Sequence, residues 1–402
     1  MNQENYLYRA PLLDVRQHVR GYRLGWQCSD RSAPAPSKDA FARLVGLIAC
    51  AHEKPTSRPF FIETGTAALP VNTLHGLIPE NIVLIFDQKD LSNAGALSRV
   101  MSLNAHGFGL AMRDPDRAAL ASDDGLLSLM THLQAEFGHP DLAEMASLTK
   151  QAEHSLCVLV NNVSDWQEFE ACAALGVMSF FGNLCALPRQ QRQSTQLNPH
   201  AAIVVQLMQM VHDNVDVREM EKLLKRDALL SYKLIRHINS ASFGIQSEIK
   251  SLRHAVTMLG YAPLYRWLAL FLLVNADQVQ ASPALLQAAL VRGRFVELLG
   301  QKMLSRQEAG YLFVVGLFSL LEPLLGIPIE QVLDEVSLPQ AIVQALLYRQ
   351  GIYGPFLALA QACESQDGNA FHIAESLCMT SAHVNQSHLA ALVWAENLEF
   401  GV

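Results

Sequence analysis

Hydrophobic and polar positions along the 402-residue chain follow two different periods, one before and one after a polar segment near position 190. From Tyr6 to about Pro188, short apolar runs alternate with amphipathic stretches. Strand-like runs are YLYRAPLLD, RPFFIETG, NIVLIFD, HGFGLAMRD, HSLCVLVNNV and MSFFGNL, separated by helix-like stretches such as DAFARLVGLIACAHE and SDWQEFEACAALG. The last of these predicts a capping box, with Ser164 as cap, Gln167 three residues on, and Gly176 just past the helix end. Alternating β and α elements predict a parallel sheet, either a barrel or a doubly wound layer. From about Leu197 the strand pattern stops, and every later apolar segment has helical spacing. PRQQRQSTQLNP, Gln-rich and bounded by Pro188 and Pro199, is the expected interdomain linker. The predicted organisation is an α/β domain over 1–190, a linker over 191–199 and an all-α domain over 200–402.

Composition narrows the function classes. With 50% hydrophobic and 17% charged residues, the chain is expected to fold as a soluble protein. A net charge of −8 provides no basic face for nucleic acid. Seven cysteines, Cys28, Cys50, Cys157, Cys172, Cys185, Cys363 and Cys378, are scattered and never in C-x-x-C spacing, which argues against a disulfide framework or a thiolate zinc site. MNQENYLYRAPLLD lacks the basic start and apolar run of a signal peptide. The most apolar segments, Trp267–Val274 and Tyr311–Gly326, fall short of the roughly 20 residues that span a bilayer, and Glu322 and Pro323 interrupt the second. They are expected to be buried helices of a cytoplasmic protein without membrane insertion.

The most informative stretch of the helical half is DALLSYKLIRHINSASFG, Asp227 to Gly244. Leu230, Leu234, Ile235 and Ile238 form one stripe, and Asn239 and Ser240 predict a helix end. In SLRHAVTMLG, Ser251 is a credible N-cap and Gly260 suits the position after the last turn. This order resembles the HDOD domain, the metal-free relative of HD-type phosphohydrolases. The matching positions are Asp227, Leu230, Leu234, Arg236, Asn239, Ser240, Ala241 and Phe243, then Ser251, Ala255, Leu259 and Gly260; Ala228 replaces the usual Pro.

The N-terminal half resembles EAL domains, (β/α) barrels that hydrolyse cyclic di-GMP with divalent metals. Arg9-Ala10-Pro11-Leu12-Leu13-Asp14, Val19 and Gly21-Tyr22 echo the opening motif, and Val163, Leu175-Gly176-Val177, Gly182 and Pro188 the closing one. The expected fold is therefore a degenerate EAL-like TIM-type barrel followed by an all-α HDOD domain, an arrangement similar to the YuxH-type signalling family.

The departures bear on chemistry. The resemblance implies acidic residues and an Asn around Mg²⁺ or Mn²⁺, which require hard oxygen ligands. Arg23 replaces the motif's Glu, and Gln27 replaces its phosphate-facing Arg. The next-strand Asn falls on Glu63, and the following Glu falls near Ile85. Only Asp114 of the Asp pair remains, beside Arg113; Asn161 and Phe181 stand at the late Glu and Gln. The catalytic Lys is not placed, because 126–150 aligns poorly. A guanidinium cannot ligate a cation, and two of them repel one. Arg23 and Glu63, on neighbouring strands, are expected to form an ion pair that replaces the metal. A metal-free anion site at Arg23 and Arg113 is the weaker alternative.

In the helical half, Gly316-Leu317-Phe318-Ser319-Leu320-Leu321 is the counterpart of the metal-binding HD helix, with Ser319 and Leu320 at the ligand positions; His212-Asp213 lies elsewhere and is read as a helix terminus. No P-loop, G-x-G-x-x-G or G-x-S-x-G motif is present. Tyr232, Tyr265, Arg266 and Trp267 are the interface candidates, with core packing the competing reading for Trp267. The expected function is a non-enzymatic bacterial signalling scaffold in cyclic di-GMP-linked pathways such as motility or biofilm formation, with no catalytic residue, metal or cofactor. A non-hydrolysing cyclic di-GMP receptor is the first alternative and an active phosphodiesterase the second. The expected partner is another protein, which the sequence does not identify; weak cyclic di-GMP binding and self-association remain open.

Overall fold

Eight strands close on themselves in the order β1 to β8: Leu7–Asp14 (β1), Val19–Trp26 (β2), Phe60–Glu63 (β3), Ile82–Asp87 (β4), Gly109–Arg113 (β5), His132–Glu136 (β6), Cys157–Asn161 (β7) and Ser179–Phe181 (β8). The computed structural model describes residues 5–27, 37–51, 58–64, 74–91, 94–121, 125–151, 156–182, 184, 187, 199–224, 227, 231–233, 236, 239, 251, 253, 254, 256, 260–274, 282–335, 338–365 and 369–398. β1 runs antiparallel to both its neighbours, β2 and β8, and the other pairs are parallel. The expected barrel is the one observed, with β2 and β6 added to the runs read from sequence. β6, HLQAE, sends His132, Gln134 and Glu136 to one face, and β2 is broken by Gly21, Arg23 and Gly25, so neither reads as an apolar run.

The helix Trp166–Ala174 corrects the predicted cap. Asp165, not Ser164, is the N-cap, its carboxylate accepting from the N–H groups of Gln167 and Glu168; Ser164 donates from its N–H and hydroxyl to the Glu168 carboxylate. The aspartate offers a charged acceptor at the positive end of the helix and displaces the serine.

The chain forms two compact units, Met1–Leu187 with Ala362–Leu389, and Pro188–Gln361 with Ala390–Val402. In the first, residues from the far end of the chain complete β1. β8 pairs with β1 only over Leu12–Asp14, so the earlier part of β1 turns its outward N–H and C=O groups away from any strand. Asn385 meets them, accepting from the Leu7 N–H at 2.8 Å and donating to the Asn5 carbonyl at 2.8 Å. Gln27, at the end of β2, donates to the carbonyls of Ala362 (2.6 Å) and Ser365 (2.9 Å). Arg9, only 5% exposed, pairs with Glu364 at 3.5 Å.

In the second unit the described elements are helices, including Pro199–His212, Val217–Leu224, Tyr261–Val274, Pro283–Gly300 and Arg306–Phe318. Trp267, Phe295, Phe313 and Phe318 are fully buried among them. No described helix is long and apolar enough to cross a membrane.

Removing Glu364 leaves a buried guanidinium without its carboxylate. Glu364→Ala is expected to lower the unfolding free energy by about 3 kcal/mol, and the paired Arg9→Met/Glu364→Leu change by clearly less, because the double variant leaves no unpaired charge. Urea denaturation of the three proteins checks this; equal losses in single and double variants would rule the account out.

Candidate functional site

Alternation along each strand carries the barrel's interior upward from an apolar floor to a polar mouth. Leu12, Phe61, Val83, Ile85, Ala111, Leu159 and Phe181 form the apolar cluster. Two residues further on the same faces come Glu63 after Phe61, Asp87 after Ile85, Arg113 after Ala111 and Asn161 after Leu159. In β6, His132 meets the Phe61 ring edge-on at 5.2 Å, and Gln134 and Glu136 follow it on the same face.

The charged residues of this belt form one chain of ion pairs across four strands. Arg23 of β2 donates to Oε1 of Glu63 on β3. Arg113 of β5 reaches the same oxygen at 3.1 Å and Oδ2 of Asp87 on β4 at 3.4 Å. These side chains are 17–33% exposed, so solvent weakens the pairs only in part. Burial pulls the Arg113 pKa down, but Glu63 and Asp87, with Asp114, outweigh it and leave the guanidinium held above its ordinary value. Asp114 takes a left-handed backbone (φ 48°), and burial raises its carboxyl against the pull of Arg113 and His139. The expected Arg23–Glu63 pair is present, and Arg113 is joined to it.

Beside the ion pairs, on β6 and β7, are two amide side chains of another kind. Gln134 is fully buried with neither Nε2 nor Oε1 hydrogen-bonded, and Asn161, 4% exposed, has an unbonded Oδ1. Gln134 escaped sequence reasoning because β6 did; the apolar–polar alternation of HLQAE was the one available signal. Ile85 and Phe181 belong to the apolar floor, and Gln27 holds the 362–365 segment as described above.

A hard dication does not fit this set of residues. Glu63 and Asp87 already accept from guanidinium groups, which have no lone pair to offer a metal and place two positive charges where it would sit. Among the described residues, no group of three or more His, Cys, Asp or Glu side chains is arranged to hold a metal ion.

The helical unit shows a parallel substitution. Ser319, at a ligand position of the resembled HD helix, accepts from Arg292 Nη1 at 2.8 Å and donates to the Gly316 carbonyl at 2.7 Å; Leu320 is buried. Of the HDOD positions, Asp227 is buried, Arg236 and Asn239 are exposed, and Leu230, Ser240 and Phe243 lie outside the described residues. His254 donates to Ser251 Oγ at 3.1 Å, and Gly260 (φ 82°) donates to the Val256 carbonyl, placing a cap and a helix end where the sequence expects them. Tyr232 is 62% exposed. Tyr265 and Trp267 are 3% and 2% exposed, and Arg266 pairs with Glu297 at 2.6 Å while its guanidinium lies 3.9 Å from the Phe313 ring centroid.

Two predictions follow from the interior of the barrel. Arg23→Glu sets two carboxylates against each other and is expected to cost about 2 kcal/mol of stability, read as a shifted urea midpoint; an unmoved midpoint would exclude the pair as a source of stability. His132 is the second. Burial pushes its pKa down to about 4, so between pH 6.5 and 4 the unfolded chain binds a proton that the folded chain refuses. Stability contributed by neutral His132 is thus complete above pH 6.5 and falls on acidification, by about 3 kcal/mol at pH 4. Denaturation of His132→Gln across this range should show a flatter slope than the parent; identical slopes would contradict it.

Comparison with known proteins gives one family match, in the helical half, and two relatives similar over the whole chain. Residues 197–321 match the HDOD domain. Over 98% of its length the chain is similar to the uncharacterized protein YuxH of Bacillus subtilis, 23% identical over 416 residues and 98% of that protein. It is also similar to the cyclic di-GMP phosphodiesterase CdgJ of Vibrio cholerae, 25% identical over 413 residues, covering 98% of this chain and 93% of that one. Among solved structures, the Xanthomonas citri FimX EAL domain in complex with c-di-GMP covers 45% of this chain and 86% of its own at 13% identity and TM-score 0.36. A closed eight-stranded barrel thus precedes a segment that matches the HDOD domain, and the similarity to YuxH and CdgJ runs from end to end of the chain.

Proposed function

We propose that this chain is a catalytically inactive, cytoplasmic signalling protein that works by protein–protein contact in pathways linked to cyclic di-GMP, such as motility or biofilm formation. The observation that carries the reading is the ion-pair chain Arg23–Glu63–Arg113–Asp87. It occupies Glu63 and Asp87 with permanent cations, where hydrolysis of a phosphodiester by the resembled chemistry needs oxygen ligands around metal ions. The exposed Tyr232, within the HDOD motif, supplies the amphipathic aromatic surface on which protein contacts are commonly centred.

One observation favours a second reading, a receptor that binds cyclic di-GMP without cutting it. The buried amide atoms of Gln134 and the Oδ1 of Asn161 have no hydrogen-bond partners in the protein, and such groups are costly unless something bonds to them.

Incubating the full-length protein with cyclic di-GMP and Mg²⁺ or Mn²⁺ is expected to yield no more linear dinucleotide than a protein-free control, and calorimetric titration to yield no heat. Turnover that disappears in Glu63→Ala would overturn the inactive reading. Binding without turnover, lost in Gln134→Leu, would replace the scaffold by the receptor.

A further inference from the structure

The segment Ala362–Leu389 belongs to the barrel unit, and its Asn385 holds β1 by a side chain where a strand would hold it by backbone. Asn385 lies near the start of the helix Ser381–Glu396, and His388 follows it by three residues. Residues three apart share a helix face, so both turn toward β1. His388 is 1% exposed, and Arg9, two residues beyond Leu7, is 5% exposed. Glu364 faces Arg9 at 3.5 Å, and the fully buried Cys363 adjoins that pair. The Tyr22 ring of β2 has its centroid 5.8 Å from the Arg9 guanidinium carbon.

A neutral imidazole suits this place and a charged one does not. Burial, and then Arg9, hold the His388 pKa well below its ordinary value, against an opposing pull from the Leu7 backbone. Glu364 is already paired with Arg9, so a proton on His388 leaves two cations with one carboxylate, out of water. A histidine of this kind contributes its full stability above its ordinary value of 6.5 and withdraws it as the pH falls below. The segment gives way before the strand does, since β1 is held independently by its ladders with β2, from Leu7 to Leu13, and with β8, from Leu12 to Asp14.

We propose that Ala362–Leu389 is an acid-released strap: a proton on His388 sets it against Arg9, and the strap leaves the first half of β1 uncovered. The release is independent of anything that binds at the ion-pair belt.

Cys363 reports the opening, because it is fully buried while the strap is closed, whereas Cys50 is exposed. Full-length protein is pulsed with 4,4′-dithiodipyridine, a reagent that attacks thiols in acid, and labelling at the two cysteines is compared after peptic digestion. The ratio of Cys363 to Cys50 cancels the loss of thiolate that both suffer as the pH falls. From pH 7 to 5 the ratio is expected to rise about tenfold, since each unit below the ordinary value multiplies the open fraction by up to about ten. Far-UV circular dichroism should stay unchanged, and in His388→Gln the rise should be absent. A flat ratio in the parent, an equal rise in His388→Gln, or a rise that coincides with loss of circular dichroism would overturn the proposal. Should His388→Gln label fast at neutral pH, His388→Leu, which restores an apolar filling, takes its place, and an acid response surviving there overturns the proposal as well.

Discussion

A closed barrel leaves no free strand edge only when neighbouring strands match in length, and here they do not. β8 is three residues long against the eight of β1, so the first half of β1 presents backbone groups that no strand accepts. Asn385 supplies both a donor and an acceptor to that edge, as a neighbouring peptide would. Arg9–Glu364 and the two bonds from Gln27 tie the same segment to β1 and β2. The chain's beginning therefore depends on residues 335 to 380 positions away, and the barrel unit includes a late helical segment that its own α/β pattern does not contain.

That dependence marks the limit of what local patterning can reveal. Period-2 and period-3.6 signals report which face of an element is buried, so the barrel and the helical half were both legible, as were the cap at Ser251 and the helix end at Gly260. They report nothing about which distant segment covers an edge, and 362–389 reads simply as more helix. β6 was missed for a related reason: its interior face carries His132, Gln134 and Glu136, polar residues on the side a strand reading expects to be apolar. The Ser164 reading failed by one position because Asp165, an equally good cap with full charge, follows it. At the site, the Arg23–Glu63 pair was legible because a resemblance assigned the two to neighbouring strands, whereas Arg113 was read only as a candidate for an anion site. Asp87 and Gln134 became partners of that belt only once the strand register was known.

The belt holds its carboxylates with cations of its own. A divalent metal holds carboxylates together as long as it is bound, and its hold varies with metal supply and with pH through the ligands' protonation. A guanidinium holds them without dependence on metal supply, and it stays protonated itself throughout the physiological range. Arg113 bridging Glu63 and Asp87 across β3, β4 and β5 is a fixed brace. The exchange favours constancy over chemistry: an arginine neutralises the carboxylates but offers no Lewis acid and no bound water to activate. On the scaffold reading, this is the useful property. A surface that must present the same shape to a partner gains from a barrel whose polar layer is braced by its own side chains.

That brace also sets the terms for any ligand at the mouth. A phosphate approaching Arg23 or Arg113 meets guanidiniums already facing Glu63 and Asp87, and it must either displace a carboxylate or share the cation with one. Both carry a cost in repulsion between anions, which a site built for phosphate avoids by keeping carboxylates away. The amide of Gln134 and the Oδ1 of Asn161 have no such conflict, being neutral and without a hydrogen-bond partner in the protein. Recognition at this end of the barrel would therefore fall to hydrogen bonding with neutral donor and acceptor edges, and the arginines would act through geometry more than through charge.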